Sequence, residues 1–277
     1  MKILFPTDFS TTAENAFTYA IKLADRLKAS ITVVHVYELL QLHTWIEGAT
    51  NMNDLNEKVT IGEFEHFREQ IDTLKRIARE NQLEHIEVDY VLKESDYVIE
   101  AIQQEAMTNG ADLIVMGTKG ARGLKEIFFG SVATKVMETA PCPVFVVPET
   151  AHFKGIQKIG LTLEYKPVEY DLIEKALRLT RRLGGHLHCV HIDNYDDEQK
   201  RLAFQDYRKT FEAEQDISFH IHHDPDTEKG ILDFMKFNQM DVIVMYVHPQ
   251  SLLKDIFSFS IAKRVAYHSD IPILGIH

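Results

Sequence analysis

Residues Leu113–Val132 read LIVMGTKGARGLKEIFFGSV. Four apolar residues without polar alternation are what a strand buried on both faces requires. They run into Gly117, Gly120 and Gly123, then Gly130 and Ser131 at the start of a helix expected over Ser131 to Glu138. Glycine reaches positive φ freely and presents bare backbone N–H groups at close range. A glycine-rich turn closing onto a helix N-terminus can therefore form an anion nest, strengthened by the helix dipole. Thr118, Lys119 and Arg122 lie inside the turn, and the last two bring positive charge to a chain of formal net charge -12. The spacing is neither G-x-x-x-x-G-K-[ST] nor G-x-G-x-x-G, so neither of those phosphate-binding mechanisms is supported.

Working outward, the chain repeats itself. Lys2-Ile3 to Val36 lies on Lys158-Ile159 to Ile192 without a gap, matching Ala20 with Ala176, Leu23 with Leu179, Leu27 with Leu183 and His35 with His191. A second block superposes Asp112 on Asp241, Ile114-Val115-Met116 on Ile243-Val244-Met245, Ser131 on Ser260 and Pro143 on Pro272. The second copy is shorter between the blocks, where the first has Leu39 to Phe67, expected as a long loop leading into a helix. With 277 residues the chain has room for two domains. They are expected at residues 1–150 and 155–277, joined by a polar link near Pro148 to Gly155.

Within the first copy, strands are expected at Lys2 to Phe5, Ser30 to Tyr37, Ile86 to Leu92, Leu113 to Met116 and Val144 to Val147. Helices are expected after the cap at Ser10-Thr11-Thr12, from about Ile61 to Asn81, and from about Tyr97 to Asn109. Apolar strands alternating with amphipathic helices imply α/β architecture: two tandem doubly wound parallel-sheet, Rossmann-like domains. Such sheets bind ligands beyond the carboxyl ends of their strands where the winding reverses, which directs attention to the loops after the first and fourth strands.

Here a family resemblance becomes specific. Gly117, two residues, Gly120, nine residues, Gly130-Ser131 is similar to the ATP-binding signature of the universal stress protein family. Pro6-Thr7-Asp8 resembles that family's opening motif, and His35-Val36 and Pro143 to Pro148 also resemble its members. The resemblance covers nearly all of the first half. It implies an adenine nucleotide alpha hydrolase-like fold, with Thr7 and Asp8 lining an adenosine pocket and the main chain of Val36 on the adenine edge. Gly117, Gly120 and Arg122 would surround ribose and phosphates, with Thr118 and Lys119 in the same loop. Gly130, Ser131 and Val132 would donate to the phosphate tail. It further implies that the last strands of the copies pair across a pseudo-twofold axis, making one chain equivalent to a homodimer; two chains could then associate again.

The second copy departs from the pattern. Tyr246 stands for Gly117, Pro249 for Gly120, Phe259 for Gly130 and Glu164 for Asp8. Proline removes an N–H, and the aromatic residues restrict φ and fill space. The expected function is thus an ATP-binding regulatory protein of the stress-response type, with nucleotide in the N-terminal copy and Mg2+ allowed beside it. The alternatives are an interaction module without nucleotide and an adenylating enzyme. The latter is disfavoured because Pro6-Thr7-Asp8-Phe9-Ser10 stands after the first strand, where enzymes resembling the PP-loop type carry Ser-Gly-Gly-x-Asp-Ser.

No Ser-His-Asp arrangement or paired carboxylates stand out, so the expectation is no catalytic residue and no enzyme. His186, His188, His191, His220, His222 and His223 crowd the second copy. Alternation along strands would put His186 with His188, and His220 with His222, on common faces. Solvated or hydrogen-bonded histidines are favoured there over a metal site. Asp193, Asp196, Asp197 and Glu198 read as a solvated loop. The acidic balance argues against nucleic acid and anionic membranes as partners. Cys142 and Cys189 sit in separate apolar segments as buried thiols, and neither a signal peptide nor a membrane span is apparent, so a cytoplasmic protein with an adenine nucleotide and protein partners is expected.

Overall fold

The computed structural model describes residues 1–39, 52–118, 130–165, 169–195, 198–247 and 270–276. In the first copy these form β1 (Lys2–Pro6), α1 (Thr11–Leu27), β2 (Ser30–Tyr37), α2 (Met52–Glu80), β3 (Val88–Glu94), α3 (Val98–Asn109), β4 (Leu113–Gly117), α4 (Ser131–Thr139) and β5 (Val144–Val147). The second supplies β6 (Lys158–Thr162), α5 (Glu169–Leu183), β7 (His186–Asp193), α6 (Glu198–Thr210), β8 (Ile217–His223), α7 (Thr227–Phe237), β9 (Val242–Tyr246) and β10 (Ile273–Ile276).

All strands join one sheet in the order β3-β2-β1-β4-β5-β10-β9-β6-β7-β8. Each half is wound outward from its first strand in both directions, so the order reverses between β1 and β4 and again between β6 and β9. The described strand pairs are parallel except β5 with β10, which run antiparallel with Phe145 opposite Leu274, Val144 opposite Gly275 and Val146 opposite Ile273. Phe145 and Leu274 are counterparts in the repeat, so the pseudo-twofold axis passes between them. Gly275 permits a close approach here: a Cβ on it would stand 2.7 Å from Met137 Cγ of α4.

The apolar runs are explained by two-sided covering. Ile3, Leu4 and Phe5 of β1 are at most 1% exposed. One apolar layer is built from α1, α2, α5 and α6 and runs unbroken across the join, bringing Leu23 and Leu27 together with Ala176 and Leu183. The other is built from α3, α4 and α7. α1 starts where Ser10 Oγ accepts from Ala13 N at 3.2 Å and ends where Lys28 turns left-handed. Its stripe of Phe17, Ala20, Ile21 and Ala24 is fully buried. Phe17 and Ile21 each contribute on the order of 2–3 kcal/mol by leaving water.

Two expectations change. The second helix begins at Met52, so much of the segment expected as loop is helical; Asn53 and Asp54 suit helix starts as well as turns. Its counterpart α6 has 13 residues against 29, which accounts for part of the shortening of the second copy. Residues 40–51 lie outside the described part. The link between copies is fastened down: Asn15 Nδ2 donates to Pro148 O at 3.2 Å and Ala151 O at 2.8 Å, and Arg26 reaches Ile156 O and Leu183 O. Asp193 ends β7 and is 4% exposed, 3.4 Å from His223 Nδ1, rather than lying in a solvated loop. Both cysteines are buried and free.

Candidate functional site

The crevice of the first copy opens where β1 and β4 diverge. At the end of β1, Thr7 N donates to Val34 O at 3.0 Å, and Thr7 O accepts from His35 Nδ1 at 2.8 Å. Thr7 Oγ1 accepts from Phe9 N at 3.0 Å and Asp8 Oδ1 from Ser10 N at 3.2 Å, two local turns that carry the chain from strand into helix. Phe9 is left-handed at φ 57°, a conformation that costs an aromatic residue energy. Its ring packs on His35 at 4.9 Å and on Phe67 at 5.9 Å, which offsets that cost.

Backbone direction at Val36 follows from the hydrogen bonds along β2. Val34 O faces β1, where it accepts from Thr7 N, while Tyr37 O faces β3, where it accepts from Ser95 N. Backbone groups of a strand alternate sides with period two, so the N–H and C=O of Val36 point the same way as those of Val34. β1 has already ended at Pro6, which pairs with Val34. The Val36 peptide edge therefore faces the crevice beyond the last rung of the β1–β2 ladder.

Gly117 ends β4 on the opposite wall. A Cβ there would stand 3.1 Å from Thr12 Cγ2 and 3.3 Å from Thr12 O, so α1 approaches too closely for a side chain to fit without displacement. Thr118 N donates to Val147 O at 3.0 Å, and Gly130 N donates to Thr118 O. The two ends of the glycine loop are thus clasped at the start of α4. With the Gly130 N–H engaged, the first-turn amides of Ser131, Val132 and Ala133 are those left without intrahelical acceptors, since Thr134 N is the first to bond back, to Gly130 O. Ser131 is exposed and Val132 half-buried. Thr7, Asp8 and Val36 lie at the carboxyl ends of β1 and β2, and Gly117, Thr118, Gly130, Ser131 and Val132 at the end of β4 and the start of α4; Lys119, Gly120 and Arg122 lie outside the described residues.

The second copy repeats the frame and fills the space. Leu163 N donates to Val190 O and Leu163 O accepts from His191 Nδ1 at 2.9 Å, reproducing the Thr7 and His35 bonds. Tyr165 takes the place of Phe9 at φ 59°, with its ring 5.1 Å from His191. Around this frame Glu169 Oε1 accepts from Glu164 N at 2.8 Å, and Lys200 Nζ donates to Glu164 O. Tyr246 occupies the Gly117 position at the end of β9. Pro249, Phe259 and Ser260 lie outside the described residues.

The shared left-handed aromatic and the histidine-to-carbonyl bond were missed in the sequence, although Phe9 aligning with Tyr165 beside the His35 and His191 match was their signal.

A model of the universal stress protein family matches residues 1–148 and again 155–277. The chain belongs to the universal stress protein family. A universal stress protein of Methanocaldococcus jannaschii is 32% identical over 164 residues, spanning 53% of this chain and 93% of the relative. One from Synechocystis matches end to end at 20% identity, covering 98% of both chains. The solved structure of a universal stress protein from Archaeoglobus fulgidus superposes with a TM-score of 0.71 at 19% identity, covering 99% of this chain and 95% of that one, a likeness of fold. Among the described residues, no helix of this universal stress protein is long and apolar enough to cross a membrane.

His186 and His188 lie towards the amino end of β7, away from the crevice frame, and His220 lies midway along β8. His188 Nδ1 is 3.2 Å from His220 Nε2, the His186 ring is 4.8 Å from that of His188, and His186 Nε2 is 2.7 Å from Ser218 Oγ. Burial, helped by the neighbouring His186, His220 and Lys158, pushes His188 down to about 4 from 6.5. Burial also lowers His191 and His220. Groups whose folded pKa is depressed bind fewer protons folded than unfolded, so their contribution is whole above about pH 6.5 and is lost as pH falls towards 4. Allowing for the half-exposed setting, His188 should account for on the order of 1–2 kcal/mol of acid destabilisation. A His188→Gln variant should lose correspondingly less stability than wild type between pH 7 and 4.5, measured as urea midpoints across that range.

Proposed function

We propose that this chain is an ATP-binding regulatory protein of the stress response and that the N-terminal copy alone takes the nucleotide. The observation that carries the reading is the peptide edge of Val36, which faces the crevice past the end of β1 with Gly117 bare of a side chain on the opposite wall. An adenine ring needs such a backbone donor and acceptor, and phosphates need amides at a helix start. Thr7 and Asp8 line the adenosine side. Gly130, Ser131 and Val132 place the start of α4 for the phosphate tail, and Thr118, Lys119, Gly120 and Arg122 belong to the loop between. ATP, with Mg2+ as its companion, would bring the negative charge that the loop's Lys119 and Arg122 match, and the chain's own groups bind and orient it. The reading is of binding and signalling in the cytoplasm to protein partners, with pairs of chains associating, rather than of turnover.

The second copy supports the same assignment by contrast, since Glu169 and Lys200 bond Glu164 at the position of Asp8 and Tyr246 stands at the position of Gly117. The test is the nucleotide content of purified protein, denatured and resolved by ion exchange, beside a Gly130→Phe variant. ATP near one equivalent from wild type and none from the variant is the expected result. A wild type that arrives empty and fails to bind added ATP would replace this reading with an interaction module.

A further inference from the structure

The edge of the sheet in the second copy carries a cluster that nucleotide binding does not use. His186 and His188 near the amino end of β7 meet His220 midway along β8, with the His188 and His220 rings stacked and the His186 ring tilted against His188. Phe234 of α7 packs against His220 with ring centroids 5.2 Å apart, giving the cluster an apolar wall. β8 is the outermost strand, so the cluster is reachable from the side. We propose that His188 and His220 are the paired ligands of a borderline divalent transition-metal ion of the Zn2+ kind.

The geometry is that of a chelating pair. Two imidazole nitrogens on one tetrahedral Zn2+ stand about 3.3 Å apart, given metal–nitrogen distances of about 2.0–2.1 Å. His188 Nδ1 and His220 Nε2 are 3.2 Å apart, on half-buried rings. Among the described residues no set of three or more His, Cys, Asp or Glu is disposed to hold a metal, so the chain provides two ligands and water completes the shell. His186 is held by Ser218 and backs the His188 ring, a neighbour that orients a ligand.

Proton balance favours the ion. In the metal-free pair one ring donates its N–H to the other's lone pair. Binding moves that proton to the donor ring's other nitrogen, so both facing lone pairs reach the metal with each ring neutral. The nearby cation, Lys158, has its Nζ turned to Asn238 O at 3.0 Å.

The full chain is titrated with Zn2+ against a chromophoric chelator of micromolar affinity, while histidine ring resonances are followed by NMR. Wild type is expected to take one equivalent with the His188 and His220 signals moving together. His188→Gln and His220→Gln should each weaken it at least tenfold, and His85→Gln, an exposed histidine, should leave it unchanged. Circular dichroism identifies a variant that has not folded, in which case the other variant and the wild-type resonances decide. No equivalent bound by wild type, wild-type affinity in a folded His188 or His220 variant, or movement confined to other histidines would overturn the assignment.

Discussion

Gly117→Tyr, which gives the first copy the residue carried by the second at Tyr246, is expected to lower ATP affinity at least about a hundredfold, or about 2.7 kcal/mol. Thr12 closes one side of Gly117, with Cγ2 3.1 Å and the carbonyl oxygen 3.3 Å from where Cβ must lie. The added ring is pushed away from α1 into the crevice, between Thr118 and the Val36 peptide edge. Gly117→Ala separates the two parts of this effect, since it meets the same Thr12 contacts without filling the crevice and should cost only a few-fold. The folded state should survive both changes with a loss of about 1–3 kcal/mol, as overpacking at one position costs. Isothermal titration with ATP, alongside thermal melts, measures both quantities. Undiminished affinity in a folded Gly117→Tyr protein would mean that nucleotide binds elsewhere.

Phe145→Ala should produce the largest loss of stability, about 3–5 kcal/mol, because a phenylalanine truncated in a closed core leaves a cavity as well as losing its transfer energy. Phe145 is 2% exposed, stands opposite Leu274 on the pseudo-twofold axis and packs 6.1 Å from Tyr19 of α1. Its apolar layer continues through α1 and α5 into the second copy. The damage should therefore appear in both copies: hydrogen exchange should accelerate in β1 and in β6 alike, and urea unfolding should remain one transition. Faster exchange in the first copy alone would show that the copies unfold separately. Phe237, 80% exposed, is the control, and its alanine variant should fall within about 0.5 kcal/mol of wild type.

The repeat made the sheet legible before any coordinates, because matched apolar strands such as Ile114-Val115-Met116 and Ile243-Val244-Met245 carry the same burial demand twice. β2 and β5 span the residues that composition alone suggests, while β3 runs two residues further towards the C-terminus than expected, to Glu94. The start of α2 was illegible because Asn53 and Asp54 favour helix ends and turns equally. That Thr7 follows β1, Gly117 ends β4 and Ser131 opens α4 was legible from the element pattern. The direction of the Val36 peptide edge was not, since it depends on where β1 stops relative to β2. Likewise, Glu169 and Lys200 meet Glu164 only through the packing of α5 and α6, and the approach of His188 to His220 depends on the β7–β8 register.

The antiparallel union of β5 with β10 settles a matter of dose. Single-copy subunits that met along such an edge would separate on dilution, and each would carry its own crevice. Here the connection from Pro148 to Gln157 makes the same encounter intramolecular, so the paired state persists at any protein concentration. Both inner strand edges are consumed in the process, leaving β3 and β8 as the rims at which the sheet can grow. On the proposed function, a chain built this way reports occupancy of one crevice without a second, identical one answering at the same time.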